Sequence, residues 1–250
     1  MSRKEYKEWF QHIRVRIRLF IGERYNHVYI FLLLGLSIIF SYLLTLLMRK
    51  LAIRFNIIDQ PTSRSSHDIP KPRGGGMAIV FSYYLFFLFV VIYKIDLSKD
   101  IIGLLISGLA ITALGFIDDL ITLSRKSRLV VWVLITVVSI ALGISFDQVD
   151  LPIVGRINFS VFFSIITFLW LIGVTNFFNF MDGIDGLAAT EATIVSGFLL
   201  LFAILKGNNL IVYSSLIILG GSVGFLFHNF PPSKIFMGDG GSNFLGFMFA

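Results

Sequence analysis

Long apolar runs alternate along this chain with short polar clusters, a pattern that predicts a bundle of membrane-crossing helices. Runs of sufficient length extend over residues 28–48, 77–93, 101–117, 129–146, 160–178, 188–205 and 210–227, and an eighth begins after Ser242. A helical span needs about 20 mostly apolar residues, whereas a barrel strand needs only about 10. Backbone in lipid must also satisfy its own hydrogen bonds, so runs of this length read as helices. The expected fold is all-α and polytopic, with about seven complete spans and the start of another.

The polar clusters fall at residues 64–76, 118–128, 176–185 and 229–242, and two apolar runs separate each from the next. An even number of crossings returns the chain to the same side. Almost every residue able to do chemistry is therefore expected on one face of the membrane.

Composition supports the membrane reading: 56% of residues are hydrophobic, 14% are charged, and there are 27 Phe in 250 residues, unlike a soluble domain. The absence of cysteine excludes disulfides and thiolate metal sites. Residues 1–27 hold seven Lys or Arg and three Glu, too charged for a signal peptide's apolar core. They read as a basic amphipathic arm lying on the surface, or as a solvated tail. Residues 28–250 read as one membrane domain.

Basic residues in the short loops number ten on the motif side and four on the other, so the motif face is expected to be cytoplasmic. The arm opposes this, because an odd first crossing would bring the other side's total to eleven. The loops are given the greater weight. The chain stops at Ala250, a few residues into an apolar run, so a longer natural chain is expected.

Asp118 and Asp119 close an apolar helix as adjacent carboxylates. Like charges raise one another's pKa, so the pair calls for a proton, a cation or nearby Arg and Lys; alternatively it marks the membrane interface. Arg128 could hold a phosphate or snorkel to the surface. Asn176, Asn179, Asp182 and Asp185 recur every three residues into a Gly-containing bend. Four oxygen-bearing side chains at that spacing suit a hard cation or a nucleoside's polar groups. In the segment from Asn229 to Ser242, backbone N–H groups at a helix start favour phosphate, Asp239 would bring a divalent ion to it, and Phe236 stacks on a base or packs in lipid. The basic loop 59–76, with His67 and Arg73, clamps an anionic headgroup or merely follows the charge bias of inner loops.

Together these four stretches resemble the polyprenyl-phosphate N-acetylhexosamine-1-phosphate transferases, a family that includes phospho-MurNAc-pentapeptide translocase. The match runs from Asp59 to Ala250, and all four motifs in order are far more specific than any one. The wording Arg64-Ser65-Ser66-His67 and Pro72-Arg73-Gly74-Gly75-Gly76 looks most like the O-antigen-initiating branch. The resemblance implies a bacterial inner-membrane enzyme working at the cytoplasmic face. It would use Mg²⁺, with Mn²⁺ as a substitute, to move a sugar 1-phosphate from a UDP-N-acetylhexosamine to undecaprenyl phosphate, releasing UMP.

Carried over by position, Asn179 and Asp239 would ligate the metal, and Asp118 and Asp119 would orient or deprotonate the lipid phosphate. Asp182, Asp185 and Asn229 would contact the nucleoside, Phe236 would stack on uracil, and Arg128 would hold a phosphate; Asn176, His67 and Arg73 are expected among the substrate-binding residues as well. Nucleic acid is not an expected partner, and a homodimer is left open.

Family members usually carry about ten spans and a later loop rich in His and Arg, neither of which this chain reaches, so weak turnover is expected of it alone. The competing readings are an ion-coupled transporter and an intramembrane aspartyl protease. Transport fits poorly because the acids sit at helix ends rather than at the midplane. The protease pattern Gly-x-Gly-Asp fails at Phe236.

Overall fold

The computed structural model describes residues 27–61, 68–95, 97–146, 149–151, 155–157 and 160–250. The basic arm, apart from His27, lies outside the described residues, as do Arg64 and His67. Eight helices make up the described bundle: α1 His27–Arg54, α2 Met77–Lys94, α3 Lys99–Ile121, α4 Arg125–Ala141, α5 Ser160–Met181, α6 Leu187–Lys206, α7 Asn209–Asn229 and α8 Asp239–Phe249.

Five helices are long and apolar enough to cross a membrane: α1, α3, α5, α6 and α7. The apolar stretch of α2, Met77–Tyr93, is shorter. Helix α4 has 17 residues and opens on Arg125, Lys126 and Arg128. At 1.5 Å per residue, α4 spans about 26 Å, less than the roughly 30 Å hydrocarbon core. The membrane protein is thus multi-pass, with five such spans among the described residues and two shorter helices where the apolar pattern placed the others.

The chain is mostly rather than wholly helical. Ile58–Asp59 (β1) pairs antiparallel with Lys71–Pro72 (β2), and Val149–Leu151 (β3) with Gly155–Ile157 (β4). Two- and three-residue strands carry too little alternation to announce themselves in sequence.

Several threonines inside the helices are satisfied by their own backbone. Thr45 donates to Ser41 O, Thr112 to Gly108 O, Thr136 to Trp132 O and Thr175 to Leu171 O, each one turn back on its own helix. Helix α7 is the most buried of the five long helices and pairs extensively with both α1 and α6. Small residues permit its approach to α1: a Cβ on Gly224 would collide with Ile38 O, and Ser41 Oγ donates across the helix pair to Gly221 O at 2.7 Å. The core below the polar end holds Ile79, Tyr83, Phe87, Leu216, Ile217 and Phe244. The outward faces of the helices carry exposed Phe31, Leu36, Leu43, Phe198 and Phe202, which suits contact with acyl chains.

Candidate functional site

The ends of α1, α3, α5 and α7 and the starts of α2, α4, α6 and α8 meet at one end of the bundle, and the polar clusters meet with them. The organising contact is backbone to backbone. Phe236 N–H donates to Pro72 O at 2.8 Å, Gly75 N–H to Phe236 O at 2.9 Å, and Gly76 N–H to Met237 O at 2.8 Å. The glycine-rich loop before α2 therefore lies along the loop before α8. Gly238, at the crossing, has φ +80, and a Cβ there would stand 2.6 Å from Asp119 Oδ2 and 2.8 Å from Gly74 N. Only glycine fits without displacement.

Asp119, in the last turn of α3, is buried and caps α8: Oδ1 accepts from Asp239 N–H at 3.1 Å and Oδ2 from Gly240 N–H at 3.3 Å. An acid on exposed N–H groups at a helix start is favoured by the helix dipole. Arg73 donates from Nη2 to Asp119 O at 2.6 Å, and its Nε lies 3.6 Å from Asp119 Oδ1.

Asp118 is buried as well. It accepts from Leu123 N–H at 2.6 Å and from Arg128 Nη1 at 2.6 Å. The same Arg128 nitrogen reaches Asp239 Oδ2 at 3.4 Å, so one guanidinium spans two carboxylates. Asp239 is the more open of that pair, 24% exposed against 6% for Asp118. Asn179 reaches the first turn of α8, which Asp239 opens, by donating to Ser242 Oγ.

Asp182 follows α5 and brackets the loop before α8, accepting from Met237 N–H at 3.2 Å and Gly238 N–H at 2.7 Å. Burial holds its carboxyl well above the ordinary carboxylate range; the Gly238 N–H opposes that rise, while Asp119 and Asp239 reinforce it. Asp185 sits in a lock of its own. Lys71 Nζ donates to both its oxygens at 2.9 Å, Ser233 N–H donates at 2.9 Å and Ser233 Oγ at 2.7 Å. Burial alone would raise the Asp185 carboxyl, but the Ser233 N–H and Lys71 outweigh it and hold the group below its usual value. Lys71 Nζ also stands 5.1 Å from the centroid of the Phe236 ring.

Asp118, Asp119, Asn179, Asp182, Asp185, Asp239, Arg73 and Arg128 thus converge, joined by Phe236. Asn176 does not join them: it is exposed, and its amide donates to Ile172 O of its own helix. Asn179, one turn on, donates to Ser242 Oγ at 3.0 Å. Asn229 is buried with both ends of its amide on backbone, accepting from Gly186 N–H at 3.1 Å and donating to Ile235 O at 3.0 Å, so it ties two site loops together. The Phe236 ring is itself buried under Lys71 and offers little open face.

Lys71 and Ser233 were not singled out in sequence. Lys71 opens the two-residue strand β2 and Arg73 follows it directly, so the two basic residues flank Pro72. That spacing was the available signal.

Asp119 faces the guanidinium of Arg73, and Asp118 and Asp239 face that of Arg128. Ionised together, these three carboxylates exceed two arginines, so the cluster has room for further positive charge. Among the described residues, no three His, Cys, Asp or Glu converge as a complete protein-only metal site. A hard divalent ion that shares one or two carboxylates with phosphate and water oxygens does not require one.

Comparison with known proteins agrees with this chemistry. The family model described as glycosyl transferase family 4 matches residues 101–250. A probable undecaprenyl-phosphate N-acetylglucosaminyl 1-phosphate transferase of Bacillus subtilis (strain 168) is 33% identical over 212 residues, covering 84% of this chain and 58% of its own. A phospho-N-acetylmuramoyl-pentapeptide-transferase of Lactobacillus gasseri is 34% identical over 186 residues, 70% of this chain and 58% of its own. A decaprenyl-phosphate N-acetylglucosaminephosphotransferase of Mycolicibacterium smegmatis is 32% identical over 237 residues, 86% of this chain and 57% of its own. The chain spans less than two thirds of the length of these curated relatives.

Proposed function

The chain belongs to glycosyl transferase family 4, and from that premise we propose that it serves transfer of a sugar 1-phosphate from a UDP-N-acetylhexosamine to undecaprenyl phosphate. The observation that carries this reading is the convergence of four carboxylates and two arginines at one end of a membrane bundle. Phosphoryl transfer between two anions needs charge neutralisation and alignment more than covalent assistance. An oxygen of the lipid phosphate attacks the sugar-bearing phosphorus of the donor. The bond from that phosphorus to the bridging oxygen breaks, and UMP leaves with the electron pair.

Arg128 and Arg73 offset the charge that gathers there. Asp118 and Asp119 orient the acceptor phosphate or accept its proton. Because each Asp119 oxygen is already engaged by a backbone N–H, orientation is better supported than a covalent role. Asp182 and Asn229 hold the loops in place, while Lys71, Asp185 and Phe236 form the polar-aromatic corner suited to the nucleoside once Lys71 swings off the ring. Asp239 and Asn179 would hold Mg²⁺, or Mn²⁺ in its place, and the ion when bound neutralises the donor diphosphate. The partial openness of Asp239 beside buried Asp118 supports that choice.

The names of two relatives favour N-acetylglucosamine as the sugar. The product would begin a lipid-linked cell-envelope glycan, O-antigen among them. The excess of basic residues in the motif-side loops supports a site facing the cytoplasm from the bacterial inner membrane. A transporter has no counterpart among the relatives named above.

The test is UMP release in detergent from undecaprenyl phosphate and a panel of UDP-N-acetylhexosamines, with and without Mg²⁺. It should be run on this chain and on one extended to the length of its relatives. Release that requires metal, lipid and one sugar is the expected result. No release from either chain under any of these conditions would overturn the reading.

A further inference from the structure

A second group of charged side chains stands apart from the carboxylate cluster, where the last turns of α1 meet the end of α7. The Tyr42 ring of α1 lies 4.5 Å, centroid to centroid, from the His228 ring of α7 and meets the Phe227 ring edge-on at 5.9 Å. Close backbone approach sets this pairing, since a Cβ on Gly224 would stand 2.9 Å from Tyr42 N. Arg49 follows Tyr42 by seven residues, about two helical turns, and so lies on the same flank of α1 nearer the polar end. From the α7 side the chain folds back over its own helix end, Lys234 N–H donating to His228 O at 2.8 Å. Arg49, His228 and Lys234 therefore gather at one helix junction, and the charges of Arg49 and Lys234 both bear on the His228 ring.

Basic residues are common beside membrane helices whatever their task. Burial without partners separates this group from that background. His228 is 4% exposed and its Nε2 has no hydrogen-bond partner, and the Nε of Arg49 is likewise buried and unpartnered. Among the described residues no carboxylate forms an ion pair with any of the three, whereas Lys71, Arg73 and Arg128 each have one. A buried polar nitrogen left unmatched is costly, so a junction holding two of them beside an exposed Lys234 calls for an anion with several oxygens.

The surface around the junction is apolar, with Leu43, Leu47, Phe227 and Phe230 all exposed. A free anion would make no use of that surface, and a lipid without net negative charge would leave the basic group unbalanced. Basic pockets between membrane helices hold anionic head groups in this way. We propose that Arg49, His228 and Lys234 form a site for the phosphate of an anionic glycerophospholipid, whose acyl chains lie over Leu43, Phe227 and Phe230. The occupied site braces the segment that carries Asp239, because His228 adjoins Asn229 and Lys234 adjoins Ser233, which tie that segment to Gly186 and Asp185. The assignment needs only a membrane bundle and stands apart from the transferase reading.

The test measures lipid retention by native mass spectrometry of this chain in detergent micelles, and thermal unfolding of the same samples. Phosphatidylglycerol should stay bound under conditions that strip phosphatidylcholine, and at about tenfold excess over its dissociation constant it should raise Tm by about 3–6 °C. The Arg49→Gln/Lys234→Gln double variant should bind it about tenfold more weakly. Lys50→Gln/Arg54→Gln, which removes the same charge from the other flank of α1, should keep the parental affinity.

Retention of phosphatidylglycerol no better than that of phosphatidylcholine, or an equal loss in the two double variants, would reduce the junction to a diffuse basic surface and overturn the site. Displacement of phosphatidylglycerol by inorganic phosphate would make it a site for soluble anions, and displacement by an equal amount of polyprenyl phosphate would give it to the acceptor; either result overturns the phospholipid assignment. Melting in lipid-free detergent identifies a variant that fails to fold, and the Tm rise of the unaltered chain then decides alone. UMP release is not a readout, so each of these outcomes leaves the transferase reading standing.

Discussion

Replacing Asp182 with Ala removes the one acceptor that serves two backbone donors, Met237 N–H and Gly238 N–H, in the loop that carries Asp239. A buried donor left without a partner costs about 1–3 kcal/mol. Two such donors set an upper bound of about 6 kcal/mol, but the loop lies at the polar end of the bundle, where water can reach part of it. An effect of about 2–3 kcal/mol follows. Asp182→Asn retains one acceptor oxygen and should fall near half of that.

In a chain of this size 1 kcal/mol shifts Tm by about 2–4 °C, so Asp182→Ala should melt roughly 4–12 °C lower in detergent. Asn176→Ala is the control, since it loses only a hydrogen bond to its own helix and should stay within about 0.5 kcal/mol of the parent. Thermal unfolding followed by tryptophan fluorescence decides between them. Equal melting of Asp182→Ala and the parent, or a larger loss in Asn176→Ala, would refute the assignment of Asp182 as the bracket of this loop.

Three further outcomes are expected. Arg128→Met leaves Asp118 and Asp239 without the shared guanidinium and the site more negative, so a metal titration of UMP release in a chain of relative-like length should show a lower Mg²⁺ requirement at a reduced maximal rate; an unchanged titration would remove Arg128 from the charge balance. Gly238→Ala places a methyl against Asp119 Oδ2 and Gly74 N at a positive φ, and should cost about 1–3 kcal/mol in thermal stability, where a neutral result would mean the loops do not cross as described. Asp185 is held below its ordinary value of 3.8, so its stabilising contribution is complete above that pH and disappears as the pH falls through the folded value. The melting difference between the parent and Asp185→Asn should therefore shrink below pH 4, and a difference that grows on acidification would contradict the lock.

The gathering of chemistry on one face was legible because four polar islands stand out in an oily chain and helix parity decides their side. The convergence of Asp118, Asp119, Asp182 and Asp239 followed from that parity alone. Side-chain duties were less legible. Nothing in sequence separates an amide that bridges two loops, as Asn229 does, from one that awaits a ligand, because both need the same donor and acceptor. Asn176 and Asn179 share a spacing, yet only Asn179 turns toward α8, a distinction set by how α5 packs. Lys71 was hidden by the charge bias that fills such loops with basic residues whatever their task. Helix α4 is displaced from the apolar run 129–146: it takes in Arg125, Lys126 and Arg128 at its start and stops at Ala141, ahead of Gly143 at φ +104, so only part of the apolar run is helical.

The central claim is that the phosphate next to the sugar travels with it. A UDP-N-acetylglucosamine donor radiolabelled in its β-phosphate, incubated with undecaprenyl phosphate, Mg²⁺ and a chain of relative-like length, tests this directly. The account predicts label in the organic-extractable lipid, in equal amount to the UMP released. Sugar in the lipid with the label left behind in UDP would mean simple glycosyl transfer and would contradict it.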